Sequence, residues 1–528
     1  MLIGYLSDER YVAIADGLLL FERDGDAVPA RSCANGAVYA DLEPGRYEVS
    51  VNAHGFGPKR VTVDIEPGSV HQFRLLSKTL LGYAWPKCVK SGQKSEFRVH
   101  SPEQYKISLW RYGLEKEFVQ PIGWFDEHGP GATLQITPDG DYTQTGVQWN
   151  KFGYSSPAHK QYMTAPERSG LYYFHAETDT GKFFSFPWVV APSAPTSKTA
   201  VLMSDMNWNA YNNFGGRSNY IHPHGLLPVP TLNARLELPR YTDPEHINYG
   251  GSDYDPLSFD RPEPINHVPR DTQATDPIAG RAPCHIAPTE WRCLAWMERE
   301  GFDYDVYSES QLHFDELDLR QYKVLILGPH PEYWSVKMYE RVKKWVFEEG
   351  GRLVYLGGNG LNCEVEFVDR QTAIYRNEDA RELRDSPKNF ESRFHQRHES
   401  EANLLGVVYD ERGIMTAAPY EVVDDSHWVF TGTGLQNGDI FGTESQHERV
   451  PGGASGHETD KRSKSSPPET RLLARGLNAD GGGAEMCLHV TPHGGAVFAT
   501  GSICWIASLL VDGGVSAVTA NVLKRFLR

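Results

Sequence analysis

The stretch YKVLILGPHPEYWSVKMYERVKKWVFEEGGRLVYLGGNG, residues 322–360, decides the fold. Tyr322–Leu327 is an almost unbroken apolar run, the pattern of a strand buried on both faces. Residues 335–349 place apolar side chains at helical spacing and stop at Gly350-Gly351, a helix-ending signal. Arg352-Leu353-Val354-Tyr355-Leu356 then repeats the strand pattern. Strand, helix and strand in immediate succession predict a parallel β-α-β unit.

The same texture extends outward. Ala200-Val201-Leu202-Met203 reads as a buried strand. Residues 289–300 read as a helix ending at Gly301, and Asp305-Val306-Tyr307 as the next strand. Gly495–Thr500 is the last strand, ahead of an apolar helical tail. Residues 196–528 are therefore expected to form a mostly parallel α/β domain with helices on both faces. Two stretches break the rhythm. Residues 212–285 are rich in Pro, Gly, Asn, Asp and Tyr, an aromatic insertion expected to be ordered. Residues 444–470 are polar and Gly/Ser/Pro-rich, and read as an exposed loop.

Towards the N-terminus the period changes to two. Residues 1–78 alternate as in Arg60–Ile65, with a Pro44-Gly45 turn, and predict a small β-sandwich. Residues 79–195 alternate in Ser95–His100, Lys106–Arg111 and Gly170–Ala176. They predict a second sandwich of immunoglobulin-like or jelly-roll type. The Pro/Ser-rich segment Ala191–Ser197 marks the boundary with the α/β part.

A chain of 528 residues needs more than one core, in keeping with three domains. Its net charge of -17, without a basic cluster, argues against nucleic acid as a partner. No apolar run is long enough to span a bilayer, and the N-terminal residues lack a signal-peptide pattern. The seven cysteines are scattered, with no CxxC pair. Reduced thiols and a cytoplasmic location are expected.

Ligands of open α/β sheets bind beyond the carboxyl ends of the strands. There the sequence places Asp205–Tyr220, then Gly328-Pro329-His330-Pro331-Glu332-Tyr333-Trp334, then Gly357-Gly358-Asn359-Gly360, then Gly501-Ser502. Tyr, His, Glu and Asn are thus delivered to one end of the sheet from separate strands. A plainer reading stands beside this one: tyrosines in loops often serve packing, and His330 and Glu332 could cap the helix that starts near Ser335. Class I glutamine amidotransferase-like domains share the alternating architecture and carry a cysteine on the sharp turn after a strand. Here Asn359 occupies that turn, and no G-x-S-x-G occurs, which argues against a Ser or Cys nucleophile.

Several motifs resemble known families. D-L-E-P-G-R-Y at 41–47 resembles a transthyretin-like, carboxypeptidase-regulatory-like module. NAYNNFGGRSNY (209–220), SFDRP (258–262), GPHPEYW (328–334), GGRLVYLGGNG (350–360) and GGAVFATGS (494–502) resemble the N,N-dimethylformamidase large-subunit family. LWRYG (109–113) and SGLYYFHAETDTG (169–181) carry the likeness into the second sandwich. The resemblance implies an iron-dependent hydrolase of a small N-substituted amide, with one mononuclear iron, Fe(III), on two tyrosinates and a glutamate. The glutamate falls on Glu332 and one tyrosine on Tyr211. For the second, Tyr254 is the choice, with Tyr220 and Tyr249 as alternatives. His330 and Glu485 are the candidate proton donors, and Asn359 a candidate hydrogen-bond donor to developing charge. The family also implies a homo-oligomer and a small accessory subunit. Glu263 stands where relatives carry an aromatic residue. Beside this reading stand a sugar-directed hydrolase on a glutamine amidotransferase-like scaffold and a non-catalytic binding protein.

Overall fold

The computed structural model describes residues 1–125, 135–149, 161–221, 224–232, 254–280, 282–377 and 389–528. Residues 1–78 form two small sheets. One is three-stranded, in the order Ala37–Tyr39, Leu2–Ser7, His71–Arg74. The other is four-stranded, in the order Asp26–Arg31, Leu18–Arg23, Gly45–Asn52, Lys59–Ile65. In Gly45–Asn52, Tyr47, Val49 and Val51 are buried while Arg46 and Glu48 face solvent, the alternation that a half-buried strand requires. Leu19, Phe21, Val63 and Phe73 complete that core.

Two further sheets follow. Tyr162–Thr164, Lys94–His100 and Leu81–Trp85 form one. Lys116–Phe125, Tyr105–Tyr112, Gly170–Thr178, Phe183–Ala191 and Cys88–Lys90 form the other. Phe97, Phe174, Phe186 and Trp188 pack in a core of their own.

The third part is built on a nine-stranded sheet. Asp305–Ser308, Thr199–Met203, Val324–Leu327, Arg352–Tyr355 and Ala496–Ala499 run parallel, in that order. Adjacent side chains on these strands point to opposite faces. Val201, Met203, Ile326, Val354 and Phe498 pack with the helices Ala287–Arg299 and Gly513–Leu527. Ala200, Leu202, Leu325, Leu353 and Val497 pack with the helix Val336–Glu348. This double burial is why those strands read as unbroken apolar runs.

Two expectations need correction. The sheet is mixed rather than mostly parallel. Beyond Ala496–Ala499 come Glu485–Val490, Arg471–Gly476, Tyr420–Val422 and Ile440–Phe441, all joined antiparallel. Glu485–Val490 connects to Ala496–Ala499 through a tight turn closed by Gly494 N–H donating to Thr491 O, and so short a link permits only antiparallel pairing. Nor is 444–470 an exposed loop. Ser455–Gly456 pairs with Ala417–Ala418, Thr459–Lys461 pairs with Val408–Asp410, and His447, His457 and Asp460 are buried. Its glycines serve close backbone approach: a Cβ on Gly453 would lie 2.5 Å from the carbonyl carbon of Ala418.

A four-stranded sheet made of Leu257–Ser258, Thr372–Arg376, Cys363–Phe367 and Tyr333–Trp334 lies just beyond the carboxyl end of Val324–Leu327. Among the described residues no helix is long and apolar enough to cross a membrane.

Candidate active site

The strand Thr199–Met203 leads into the helix Asp205–Tyr211, which ends on Tyr211. Glu290 holds the start of that helix: one carboxyl oxygen accepts from Ser204 N at 2.9 Å, the other from Trp208 Nε1 at 3.1 Å. Val324–Leu327 leads through Gly328 to His330 and Glu332. Gly328 has φ +151°, and a Cβ there would lie 2.5 Å from Leu356 O, so the turn requires glycine. Trp334, two residues after Glu332, is anchored by donating from Nε1 to Glu309 at 2.8 Å. Trp208 and Trp334 are thus buried anchors. The helix Val336–Glu348 is capped by Ser335, whose side chain accepts from Met338 N, so Glu332 is free of a capping role.

Glu332 is buried and collects two phenols. Tyr211 donates to its Oε2 at 2.9 Å, and the Tyr220 hydroxyl lies 3.0 and 2.9 Å from its two oxygens. The two phenolic oxygens are 2.9 Å apart. The Tyr333 hydroxyl lies 2.5 Å from that of Tyr220 and accepts from Asn219 Nδ2 at 2.8 Å. Burial, with Glu332 beside it, pushes the Tyr211 phenol well above its usual 10. Burial also raises the Glu332 carboxyl, against the pull of His330.

His330 Nε2 lies 3.5 Å from Glu332 Oε2 and 3.1 Å from Glu458 Oε2. Burial disfavours the charged ring, but Glu332 and Glu458 outweigh it and hold the His330 pKa above 6.5. Asn359 Nδ2 donates to Glu458 at 2.8 Å, and its backbone N–H donates to Asp460 at 2.7 Å. Tyr355 donates to the other Asp460 oxygen at 2.8 Å and accepts from Gly360 N at 2.7 Å, which fixes the turn. Asn359 takes φ +52°, a left-handed conformation that Asn tolerates well. His285 Nδ1 lies 3.3 Å from His330 Nδ1, and its ring is 4.4 Å from that of Tyr211. Burial, then the neighbouring His330, keep His285 neutral.

The structure thus brings together Tyr211, Glu332, His330 and Asn359. Tyr254 is buried with its ring 5.7 Å from His224; the tyrosine that meets Glu332 is Tyr220, seated by the Asn219 N–H to Ala210 O bond one residue earlier. Tyr249 lies outside the described residues. Glu485 is paired with Arg462 at 2.8 Å; the carboxylate that meets His330 is Glu458. Glu263 is buried against Lys87 at 2.6 Å, an ion pair in place of the expected aromatic contact. Glu458, Asp460 and His285 were missed by sequence reasoning, and the charged doublet Glu458/Asp460 within a Gly/Ser-rich stretch was the available signal.

Cys284, His447 and His457 form a second buried cluster, with donor atoms within 4.8 Å of one another. Hydrogen bonding accounts for the two histidines without an ion. Val450 N donates to His447 Nδ1 at 3.1 Å, so the proton of the neutral ring sits on Nε2, which faces His457 Nδ1 at 3.2 Å. In that arrangement His447 Nε2 has no lone pair free for a metal.

The profile of the family described as "N,N-dimethylformamidase beta subunit-like, C-terminal" matches residues 125–517, well over half of the chain. The N,N-dimethylformamidase beta subunit of Paracoccus aminophilus is 27% identical over 415 residues, 65% of this chain and 50% of that protein. The beta subunit of the same name from Alcaligenes sp is 27% identical over 294 residues, 46% of this chain and 37% of that protein. The chain therefore spans about half the length of the first relative and less of the second. A solved DUF3823 family protein from Bacteroides ovatus is 11% identical and covers 35% of this chain and 98% of its own, at a TM-score of 0.13 that carries no argument. On the extent of the profile match, joined to the two beta-subunit relatives, the chain belongs to the N,N-dimethylformamidase beta subunit-like family.

Proposed function

We propose that the protein is an iron-dependent amidohydrolase that cleaves the C–N bond of a small N-substituted amide, with Tyr211, Tyr220 and Glu332 as the metal ligands. The observation that carries this reading is the convergence of three oxygen donors, from buried Tyr220 and Glu332 and part-buried Tyr211, at 2.9–3.0 Å from one another, beside a histidine and a second carboxylate. Donors held at roughly 2 Å from a common ion lie about 3 Å apart, so the spacing suits one cation. Phenolates and carboxylate are hard donors that suit a highly charged ion such as Fe(III). Burial disfavours ionisation of Tyr211 and Glu332, so an ion bound there would have to lower both pKa values. Bound there, the ion would supply Lewis-acid polarisation of the amide carbonyl and acidify water.

The protein residues divide the remaining work. Glu458, held below the ordinary glutamate range chiefly by its contact with His330 against the effect of burial, stays ionised and accepts a proton from attacking water. His330, whose pKa Glu332 and Glu458 raise against burial, is the group placed to donate a proton to the leaving amine. Asn359 holds Glu458 in place through its side-chain N–H. Asp460, pushed up to about 7 by burial, ties the Asn359 turn to Tyr355. Tyr333 is placed to donate a hydrogen bond to Tyr220 when that phenol is ionised, which fixes the ligand's orientation. The glutamine amidotransferase-like reading of the scaffold belongs to this proposal too, supported by five parallel strands with helices on both faces and by the turn at Asn359. So do a cytoplasmic location, homo-oligomerisation and a small accessory subunit, the last supported by the beta-subunit names of the two relatives.

The test is release of free amine from a panel of small N-alkyl and N,N-dialkyl amides by the purified chain, with Glu332→Ala as control. The reading predicts turnover that Glu332→Ala abolishes while retaining the fold. Turnover unaffected by Glu332→Ala contradicts it.

A further inference from the structure

Tyr220 lies in a segment that is fastened, on both sides, to the N-terminal β-unit. On the near side, Gly215 N donates to Glu9 O at 2.7 Å, and Arg74 donates to Gly215 O at 2.8 Å. On the far side, the Tyr11 hydroxyl donates to Leu227 O at 2.5 Å, Gln72 Nε2 donates to Pro228 O at 3.1 Å, and Thr231 N donates to Tyr11 O at 3.0 Å. Ala13 N donates to Thr231 O at 2.7 Å, and Val12 and Thr231 form a parallel bridge. Residues 215 and 227–231 thus run along the N-terminal unit, with Tyr220 between the two points of attachment.

Arg74 is the centre of this junction. It is fully buried at the end of the strand His71–Arg74. Besides Gly215 O, it donates to Asp8 O at 2.8 Å, to Gly140 O at 3.0 Å and to the Tyr142 hydroxyl at 3.3 Å. Its guanidinium lies over the rings of Tyr142, at 4.5 Å, and Tyr11, at 5.2 Å. A buried cation held by carbonyl dipoles and ring faces tolerates little displacement, because each lost acceptor leaves a charged donor unsatisfied. Gly216 completes the close fit: a Cβ there would lie 2.4 Å from Tyr11 Cβ. Residues 1–78 lie outside the stretch that matches the family profile, so nothing in the family assignment gives them a part in the site.

We propose that Arg74 and Tyr11 are positioning residues for Tyr220: the N-terminal unit holds residues 215–221 and 224–231 so that the Tyr220 hydroxyl meets Glu332. The metal part of the test rests on the proposed function, whereas the exchange part stands without it. The full-length chain is compared with Arg74→Lys, which keeps the charge but loses the fork, and with Tyr11→Phe, which loses one hydroxyl.

Hydrogen exchange is read at the amides of Asn219 and Ile221, next to Tyr220, as well as at Gly215 and Thr231. The expected result is faster exchange at Asn219 and Ile221 in both variants, with unchanged protection in the nine-stranded sheet. In iron-loaded protein, the expected companion is a roughly tenfold or greater loss of iron affinity in Arg74→Lys, as for other residues that orient ligands. If Asn219 and Ile221 keep wild-type protection while Gly215 and Thr231 open, the inference is overturned, whether or not iron binds. Wild-type iron affinity in a variant that has opened around Tyr220 removes Tyr220 from the proposed ligand set and leaves the inference standing on the exchange result. A wild-type chain that binds no iron removes the proposed function, and the exchange result then decides the inference alone.

Discussion

Glu332 is the residue on which the account turns, because it joins the two phenols to the His330–Glu458 pair. The division of labour among nearby carboxylates is testable at single positions. Glu458→Gln keeps the shape and the Asn359 contact but removes the proton acceptor. It is expected to lower kcat by about 10²–10⁴-fold with metal content intact. Glu485→Gln, at a carboxylate paired with Arg462, is expected to change kcat by less than about twofold. Steady-state kinetics of the two variants checks both expectations. At this scale the sequence was only partly legible. Tyr211, His330, Glu332 and Asn359 follow strands whose pattern is plain, so their common location could be foreseen. Tyr220 and Tyr254 stand near the start and the middle of one insertion, and no periodicity distinguishes them. The Asn219–Ala210 hydrogen bond, which seats Tyr220, carries no signature in the sequence.

The elements explain why Glu458 escaped notice. Parallel strands buried on both faces declare themselves as apolar runs, and those over 199–203, 324–327 and 352–355 were all readable. The antiparallel half gives a weaker signal, because short strands such as Ser455–Gly456 are built from small and polar residues that read as loop. Beside the Asn359 contact, the backbone that carries Glu458 passes close to Gly358, where a Cβ would lie 2.3 Å from Glu458 O. Gly358→Ala is therefore expected to push the Glu458 segment away from His330 and to lower kcat by at least about tenfold, from displacement alone. Metal content should stay near wild type, because Tyr211, Tyr220 and Glu332 reach the site from other segments. Loss of metal in Gly358→Ala would show that the two halves of the site are not independently held.

Across the whole molecule, stability depends on groups far from the site. His489 is buried on the strand Glu485–Val490, and burial lowers its pKa from 6.5 to about 4. The unfolded chain therefore binds a proton between those values that the folded chain refuses. The His489 contribution to stability is complete above pH 6.5, falls as pH drops towards 4, and levels off below. His489→Leu should remove one such contribution, on the order of 3 kcal/mol across that window. Thermal melts at pH 7 and pH 4.5 should then show a smaller acid-induced fall in Tm than in wild type, whereas an unchanged fall would contradict the assignment. The change of period along the chain, from two in the N-terminal strands to mixed strand and helix after residue 196, was legible. The lacing of the N-terminal unit onto the insertion was not legible, since it runs through main-chain carbonyls that carry no sequence signature.

The central claim is that Tyr211, Tyr220 and Glu332 hold one iron. Metal analysis of the purified protein together with its visible absorption spectrum tests it most directly. The account predicts about one iron per chain and a broad visible band from tyrosinate bound to Fe(III), both strongly reduced in Tyr220→Phe and retained in Tyr254→Phe. Absence of iron, or a band that survives in Tyr220→Phe and disappears in Tyr254→Phe, would contradict it.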